Sequence, residues 1–169
     1  SHAAVENMLT AVVRAGLDPA QVGKVTKSTP DPRWTALAKA DDLAAFASQH
    51  DQASRGYVIG GSAWDLTNER RVGRGQLDLL VIDEAGQFSL AKTVAVGVSA
   101  QRLLLLGDPQ QLPQVSTGVH AQPVNESALG WLAAGEPVLP AHLGYFLETT
   151  RRMHPDLTTV VSDLAYDGA

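Results

Sequence analysis

The chain has 169 residues, 44% of them hydrophobic, and a formal net charge of −5. This length and apolar content suffice for the core of a globular domain. The acidic balance argues against a protein that binds nucleic acid through overall charge alone. Because the chain has no cysteine, disulfides and cysteine-based zinc sites are excluded. No run of eighteen apolar residues and no signal-peptide pattern is present, so we expect a cytoplasmic protein that does not enter membranes.

The hydrophobic pattern predicts alternating helices and strands, which is typical of an α/β fold with a mostly parallel sheet. In chain order, helices are predicted at 3–15, 36–49, 89–98, 125–134 and 155–166, and strands at 22–26, 57–59, 77–82, 102–106 and 145–147. Asn125 is the predicted cap of the fourth helix, and Pro155 opens the last one. Residues 68–75 are polar and contain three arginines, so they predict a surface loop.

Two neighbouring carboxylates follow an apolar strand. The run Leu79–Ile82 predicts a strand that is buried on both faces, and Asp83 and Glu84 come directly after it. Residues in this position lie at the carboxyl edge of the sheet, where open α/β folds bind ligands. One acid can hold a magnesium ion while the next polarises an attacking water, as NTP hydrolysis requires. An ordinary acidic turn after a strand is the alternative.

A second apolar strand, Arg102–Leu106, leads into the sequence Gly107-Asp108-Pro109-Gln110-Gln111-Leu112-Pro113. This strand is also predicted to be buried on both faces. Glycine and proline favour a rigid turn here, from which a glutamine would contact a phosphate oxygen or the attacking water. A plain connecting turn is the alternative, but two successive strands with polar ends favour one shared site.

A third polar segment, Leu147–Pro155, contains Arg151 and Arg152. The guanidinium group is well suited to phosphate because it donates two parallel hydrogen bonds. Taken alone, the arginine pair favours the alternative, which is a solvated basic turn before the helix that Pro155 opens.

Together these segments resemble the helicases of superfamily 1B, the group of the nonsense-mediated-decay helicase and the Dna-two-type nuclease-helicases. Asp83–Gln87 resembles motif II, the Walker B sequence; Gly107–Pro113, followed by Val115, resembles motif III; and Leu147–Pro155 resembles motif IV. The nearest likeness is to bacterial helicases that are fused to RecB-like nucleases. The resemblance implies a RecA-like P-loop NTPase fold, in which a mostly parallel sheet lies between two layers of helices.

The resemblance also implies a site that binds and hydrolyses ATP with Mg²⁺. Asp83 would hold the Mg²⁺ ion, and Glu84 would be the general base that polarises the lytic water. Gln111 would contact the γ-phosphate, and Arg152 would reach it from a second motor domain.

Three further residues would bind the nucleotide around these groups. Gln87 would link motif II to motif III, and Asp108 would shape the motif III loop. Arg151 stands where many relatives carry an aromatic residue, and its guanidinium would stack on the adenine. His154 and Pro155 are expected only to form the turn and start the last helix.

Single-stranded DNA or RNA is the partner that the resemblance implies. Ser1–Asn7 is similar to motif Ia, and Gly60–Trp64 occupies the place of a nucleic-acid-contacting loop. The residues expected to bind phosphate there, through hydroxyl and backbone groups, are Ser1, His2, Ser62 and Ala63. Trp64 is interpreted as a core residue beside a strand, with base stacking as the alternative.

No Gly-x-x-x-x-Gly-Lys-Ser/Thr sequence occurs in the chain, so a phosphate-cradling loop is missing. We therefore expect a piece of a larger helicase, with 1–146 from the first RecA-like domain and 147–169 from the start of the second. The remaining helicase domains, and a fused nuclease in the nearest relatives, would be its partners. The isolated chain should hydrolyse no ATP and bind nucleic acid weakly. A sheet without its opening strand should either rearrange or pair with a second copy.

Two other functions remain open at this point. Another P-loop ATPase would share the Walker B strand, but it would not be expected to carry the Leu-Pro of motif III or the Arg-Met-His-Pro of motif IV. A non-catalytic module that binds nucleic acid or a protein partner is the second alternative.

Overall fold

A computed structural model describes residues 2–26, 31–53, 55–112, 118, 120–121 and 123–168. The helices are α1 (His2–Arg14), α2 (Ala40–Gln52), α3 (Ala63–Leu66), α4 (Leu90–Gly97), α5 (Ala128–Ala133) and α6 (Pro155–Ala165). The strands are β1 (Val22–Val25), β2 (Thr35–Leu37), β3 (Val58–Gly60), β4 (Leu80–Ile82) and β5 (Leu103–Leu105), and 3₁₀ turns lie at Pro19–Gln21 and Ala85–Gln87. The fold is mixed α/β with short parallel strands, which is compatible with a RecA-like domain.

The chain divides into two compact units. The first comprises Ser1–Leu80 and Ala95–Leu103, and the second comprises Val81–Val94 and Leu104–Ala169. The predicted division at residue 146 is a statement about a larger protein and stays a prediction.

The first unit is built on a parallel sheet with the strand order β2-β1-β3. Successive residues of β1 face opposite sides, as the pleat of a strand requires. A Cβ atom on Gly23 would lie 2.8 Å from Leu37 Cδ1, so this face of the sheet lies close to its apolar cover. On β3, a Cβ atom at Gly60 would lie 2.6 Å from Val5 Cγ1 and 2.9 Å from Leu9 Cδ1, which shows how closely α1 approaches the strand.

Two apolar clusters form the core of this unit. The buried members of the first are Leu37, Leu43, Phe46 and Val72, and those of the second are Leu9, Val22 and Trp34. The second cluster also contains a charged contact, since the buried Lys24 on β1 forms an ion pair with Glu6 on α1. This pairing satisfies a cation that would be costly to bury alone.

The sequence prediction misses β2 and starts α2 too early. Residues 36 and 37, predicted as helix, pair instead with β1, and the Thr26 N–H donates to Leu37 O at 3.1 Å. The helix begins at Ala40, where the Asp42 carboxylate accepts the N–H groups of Ala38 and Lys39 at 2.9 and 2.8 Å. The three-residue strand is too short for its alternation to be visible in the sequence.

The loop prediction for 68–75 holds for the backbone but is wrong for two of its side chains. Val72 is 2% exposed because it completes the first apolar cluster. Arg71 is mostly buried and forms an ion pair with Asp65. A polar composition therefore conceals a segment that is anchored to the core.

Strands β4 and β5 pair with each other, and a parallel bridge joins Leu77 to Ala100 beside them. Leu79, Leu103 and Leu104 are between 44% and 46% exposed. The reason is that the sheet has two strands within the described residues, so much of its apolar surface has no covering layer there.

The second unit contains two helices with well-defined starts. Ser127, not the predicted Asn125, caps α5, because its Oγ accepts the Gly130 N–H at 2.9 Å. His154 and Pro155 open α6, with His154 Nδ1 accepting the Asp156 N–H at 3.4 Å. This agrees with the turn-forming role that the sequence analysis gives to these two residues.

The predicted strand at 145–147 is wrong, because no strand forms there and Tyr145 and Leu147 are almost fully exposed. Among the helices of the described residues, none has the length and apolar content needed to cross a membrane.

Candidate functional site

The acidic turn after β4 begins the candidate site. Asp83 and Glu84 are exposed, whereas Ala85 and Gly86 beneath them are buried. Glu84 has φ 55° and ψ 41°, a left-handed backbone that non-glycine residues rarely adopt. The turn is fixed by two hydrogen bonds of 2.8 Å, from Ala85 N–H to Leu106 O and from Gln87 N–H to Glu84 O. The turn thus presents both carboxylates to solvent on a rigid base.

Two glycines allow this turn to lie directly against the loop that follows β5. A Cβ atom on Gly86 would overlap the carbonyl oxygen of Asp108. A Cβ atom on Gly107 would lie 2.8 Å from Ala85 N and 2.9 Å from Gly86 N. Because these neighbours are backbone atoms, they could not give way as a side chain would. Only glycine fits at both positions.

The two segments also meet through their side chains. Gln87 Nε2 donates to Gln111 Oε1 at 3.2 Å, so the glutamines of motifs II and III lie side by side. The loop itself is closed locally: Asp108 Oδ1 accepts the Gln110 N–H at 2.9 Å, and Asp108 O accepts the Gln111 N–H at 3.3 Å. Pro113 and Val115, which complete the motif III resemblance, lie outside the described residues.

The opposite oxygen of Asp108 accepts a hydrogen bond that the sequence analysis did not anticipate. Tyr166, directly after α6, donates its hydroxyl to Asp108 Oδ2 at 2.5 Å. This hydrogen bond, with partial burial, raises the pKa of Tyr166 to about 12. No local pattern pointed to Tyr166, since a tyrosine at a helix end is common and its partner is distant in sequence.

The exposed carboxylates fit a nucleotide-bound Mg²⁺ ion better than a protein-enclosed one. Asp83 Oδ1 accepts the Glu84 N–H at 3.0 Å, which leaves Oδ2 without a hydrogen-bond partner in the described part of the chain. Within those same residues, no three His, Asp or Glu side chains cluster as a metal cage would. Mg²⁺ is commonly held by one or two carboxylates together with water and substrate phosphates, so a single carboxylate is a suitable donor.

The motif IV arginines lie beside an open cleft. Phe146, Leu147, Glu148, Thr149 and Arg151 line this cleft, whose volume is about 390 Å³. Arg152 is exposed, and its backbone N–H donates to Thr150 Oγ1 at 3.3 Å. Among the described residues, no hydrogen bond or ion pair joins Arg152 to Glu84 or Gln111. The structure therefore brings motifs II and III together, but it does not bring Arg152 to them.

The residues expected to bind nucleic acid lie in the first unit. His2 is exposed at the start of α1, and Ser1 lies outside the described residues. Ser62 caps α3, with its N–H and Oγ both donating to Asp65 Oδ2, at 2.9 and 2.6 Å. Ala63 follows it as the first residue of that helix.

Trp64 is 86% exposed, so its interpretation as a core residue is wrong. The side chain stands on α3, whose capping and ion-pair contacts run through Asp65. Its indole is therefore accessible to a stacking partner, which was the alternative interpretation.

No protein-family model matches the sequence. Over 93 residues the chain is 29% identical to the 5'-3' DNA helicase ZGRF1 of Mus musculus, a match that covers 54% of this chain and 5% of that protein. The chain thus spans a small fraction of the length of this relative. The similarity supports a helicase relationship, and the assignment to superfamily 1B remains a prediction.

Proposed function

We propose that this chain carries part of the ATP-hydrolysing site of a superfamily 1B nucleic-acid helicase. The observation that carries the proposal is the glycine-mediated packing of the Asp83–Gln87 turn on the Gly107–Gln111 loop, with Gln87 bonded to Gln111. A metal-binding acid, a candidate base and a candidate γ-phosphate sensor then share one edge of the β4–β5 pair. The similarity to a DNA helicase supports the same function and favours DNA as the strand.

In this proposal each residue acts through groups that the local geometry leaves accessible. Asp83 offers a free carboxylate oxygen to Mg²⁺, which supplies charge neutralisation for the phosphates when it is bound. Glu84 accepts a proton from the attacking water at its exposed carboxylate. Gln111 contacts the terminal phosphate, and the Gln87 amide transmits its displacement to the acidic turn. Asp108 holds the loop, and Arg151 and Arg152 bind the nucleotide from the motif IV segment.

A substitution in the full-length protein tests this proposal. We expect Glu84→Gln to abolish DNA-stimulated ATP hydrolysis while nucleotide binding is retained, because the amide cannot take up a proton. The matched control is Glu136→Gln, which changes an exposed glutamate outside the site. Unchanged hydrolysis in Glu84→Gln would contradict the proposal. The isolated chain, which has no phosphate-cradling loop, should show no turnover.

A nucleic-acid-binding function is favoured independently by the exposure of Trp64. A base that stacks on this indole should quench its fluorescence, and Trp64→Ala should weaken binding of an oligonucleotide by about tenfold. Trp131→Ala, which removes another exposed indole, is the control. Titration with oligo-dT and oligo-U separates DNA from RNA. Equal weakening by the two substitutions would count against a specific role for Trp64.

A further inference from the structure

Both carboxylate oxygens of Asp108 are used, and they connect different parts of the second unit. Oδ1 accepts the Gln110 N–H at 2.9 Å and closes the loop locally. Oδ2 accepts the Tyr166 hydroxyl at 2.5 Å, a bond that spans 58 positions in the sequence. Two donors in different directions restrict the rotation of the Asp108 side chain, so the carboxylate is held in one orientation.

Tyr166 is itself fixed by the way α6 ends. Its N–H donates to Ser162 O at 2.9 Å, and the Gly168 N–H donates to the same oxygen at 3.1 Å. Asp167 and Gly168 have φ values of 54° and 79°, so the chain turns sharply in the left-handed region after the helix. On its other side, the Tyr166 ring packs against Phe146, with 5.7 Å between the ring centroids. The hydroxyl is therefore aimed from a well-defined support.

Asp108 is also the residue at which the loop touches the acidic turn. Its carbonyl oxygen lies where a Cβ atom on Gly86 would be, and Gln111, which contacts Gln87, is three residues further on. A change in the orientation of Asp108 would shift the backbone at this contact. Because the two backbones touch directly, a shift in the loop would reach the Gln111 amide and the acidic turn.

We propose that Tyr166 is a positioning residue, which holds the Asp108 carboxylate and thereby sets the place of Gln111 relative to the Asp83–Gln87 turn. The structural part of this inference stands on the contacts of the second unit, and its catalytic part rests on the proposed function. Tyr166 reaches no reacting group in this scheme and acts only through Asp108. The raised pKa of Tyr166 agrees with a phenol that stays protonated and donates to a carboxylate.

The first experiment uses the isotopically labelled chain and the substitution Tyr166→Phe, which removes the hydroxyl and keeps the ring. We expect the NMR signals of the Gln110 backbone amide and the Gln111 side-chain amide to shift. Tyr145→Phe is the matched control, because Tyr145 is 96% exposed. Unchanged Gln110 and Gln111 signals in Tyr166→Phe would overturn the inference, whatever the enzyme activity.

The second experiment measures ATP hydrolysis in the full-length protein. Tyr166→Phe should lower kcat by roughly tenfold, because a misplaced catalytic group loses rate without losing ground-state binding, while KM for ATP changes by less than about twofold. Tyr145→Phe should match the unsubstituted protein. Shifted amides with unchanged kcat would make Tyr166 a structural residue only and would overturn its catalytic part.

Including Glu84→Gln in the same assay separates the two proposals. If Glu84→Gln abolishes hydrolysis and Tyr166→Phe does not lower it, the proposed function stands and the positioning role in catalysis fails. If Glu84→Gln has no effect, the proposed function fails, and the amide shifts alone decide whether Tyr166 positions the loop.

Discussion

A methyl group added at Gly60 in the first unit would meet the ends of the Val5 and Leu9 side chains, whereas one added at Gly86 in the second unit would meet the backbone of Asp108. The ends of apolar side chains can move by small rotations, but a backbone carbonyl held by its own hydrogen bonds cannot. The close packing of the first unit therefore tolerates adjustment, and that of the second specifies one geometry.

The same contrast appears in what each unit buries. The two apolar clusters lie in the first unit, with side chains such as Leu43 and Val22 almost fully buried. In the second unit, α6 has no buried residue and Leu164 is 82% exposed. Apolar burial thus stabilises the first unit, while backbone contacts and directed hydrogen bonds shape the second around its polar residues.

The largest expected effect tests the apolar half of this contrast. Leu43→Ala should lower the free energy of unfolding by about 3 kcal/mol, because it leaves a cavity in the core of the first unit. Leu164→Ala, the same change at an exposed position, should cost less than about 0.5 kcal/mol. Urea denaturation followed by circular dichroism measures both. Similar losses in the two variants would contradict the contrast.

The next effect tests the backbone contact in the second unit. Gly86→Ala should destabilise the protein by about 2 kcal/mol, because the new methyl group has to push the Asp108 loop away from the acidic turn. Gly56→Ala is the control, since a Cβ atom there meets nothing within 4 Å. The same denaturation measurement applies. A Gly86→Ala variant as stable as the control would show that the two segments are not in direct contact.

A smaller effect tests the left-handed backbone of Glu84. At most exposed positions alanine is more favourable than glycine, but here Glu84→Gly should be more stable than Glu84→Ala by about 1 kcal/mol, because a Cβ atom is disfavoured at φ 55°. Ala91→Gly in α4 gives the ordinary order and should cost about 1 kcal/mol. Alanine being the more stable at position 84 would rule out this conformation. The result would show that the candidate base occupies a strained position.

The smallest effect concerns the Tyr166–Asp108 bond. The phenol has its ordinary pKa of 10.0 in the unfolded chain and about 12 in the folded one. The unfolded state therefore loses its proton first, so the stability that this bond contributes is complete below pH 10 and is lost as the pH rises through about 12. Spectrophotometric titration should show the pKa of Tyr166 moving back toward 10 in Asp108→Asn. An unmoved titration would mean that the carboxylate does not accept this bond.

The sequence by itself determined the features that depend on neighbouring residues. The apolar runs before Asp83 and Gly107 locate β4 and β5, and Pro155 locates the start of α6. The periodicity of α1 and its end near Gly16 were also predicted, because helix periodicity and glycine terminators act within a few residues. The alternation of helices and strands gave the α/β class for the same reason.

Only the tertiary structure decided the features that join distant segments. The pairing of β2 with β1, the exposure of β5, the overlap of Gly86 with Asp108, and the bond from Tyr166 to Asp108 leave no signature in the local pattern. The left-handed backbone of Glu84 belongs to this group, because its turn is held by hydrogen bonds, including one from Ala85 to the next strand. Local sequence sets the dihedral preferences of each residue, whereas contacts across long loops depend on which surfaces the folded chain brings together.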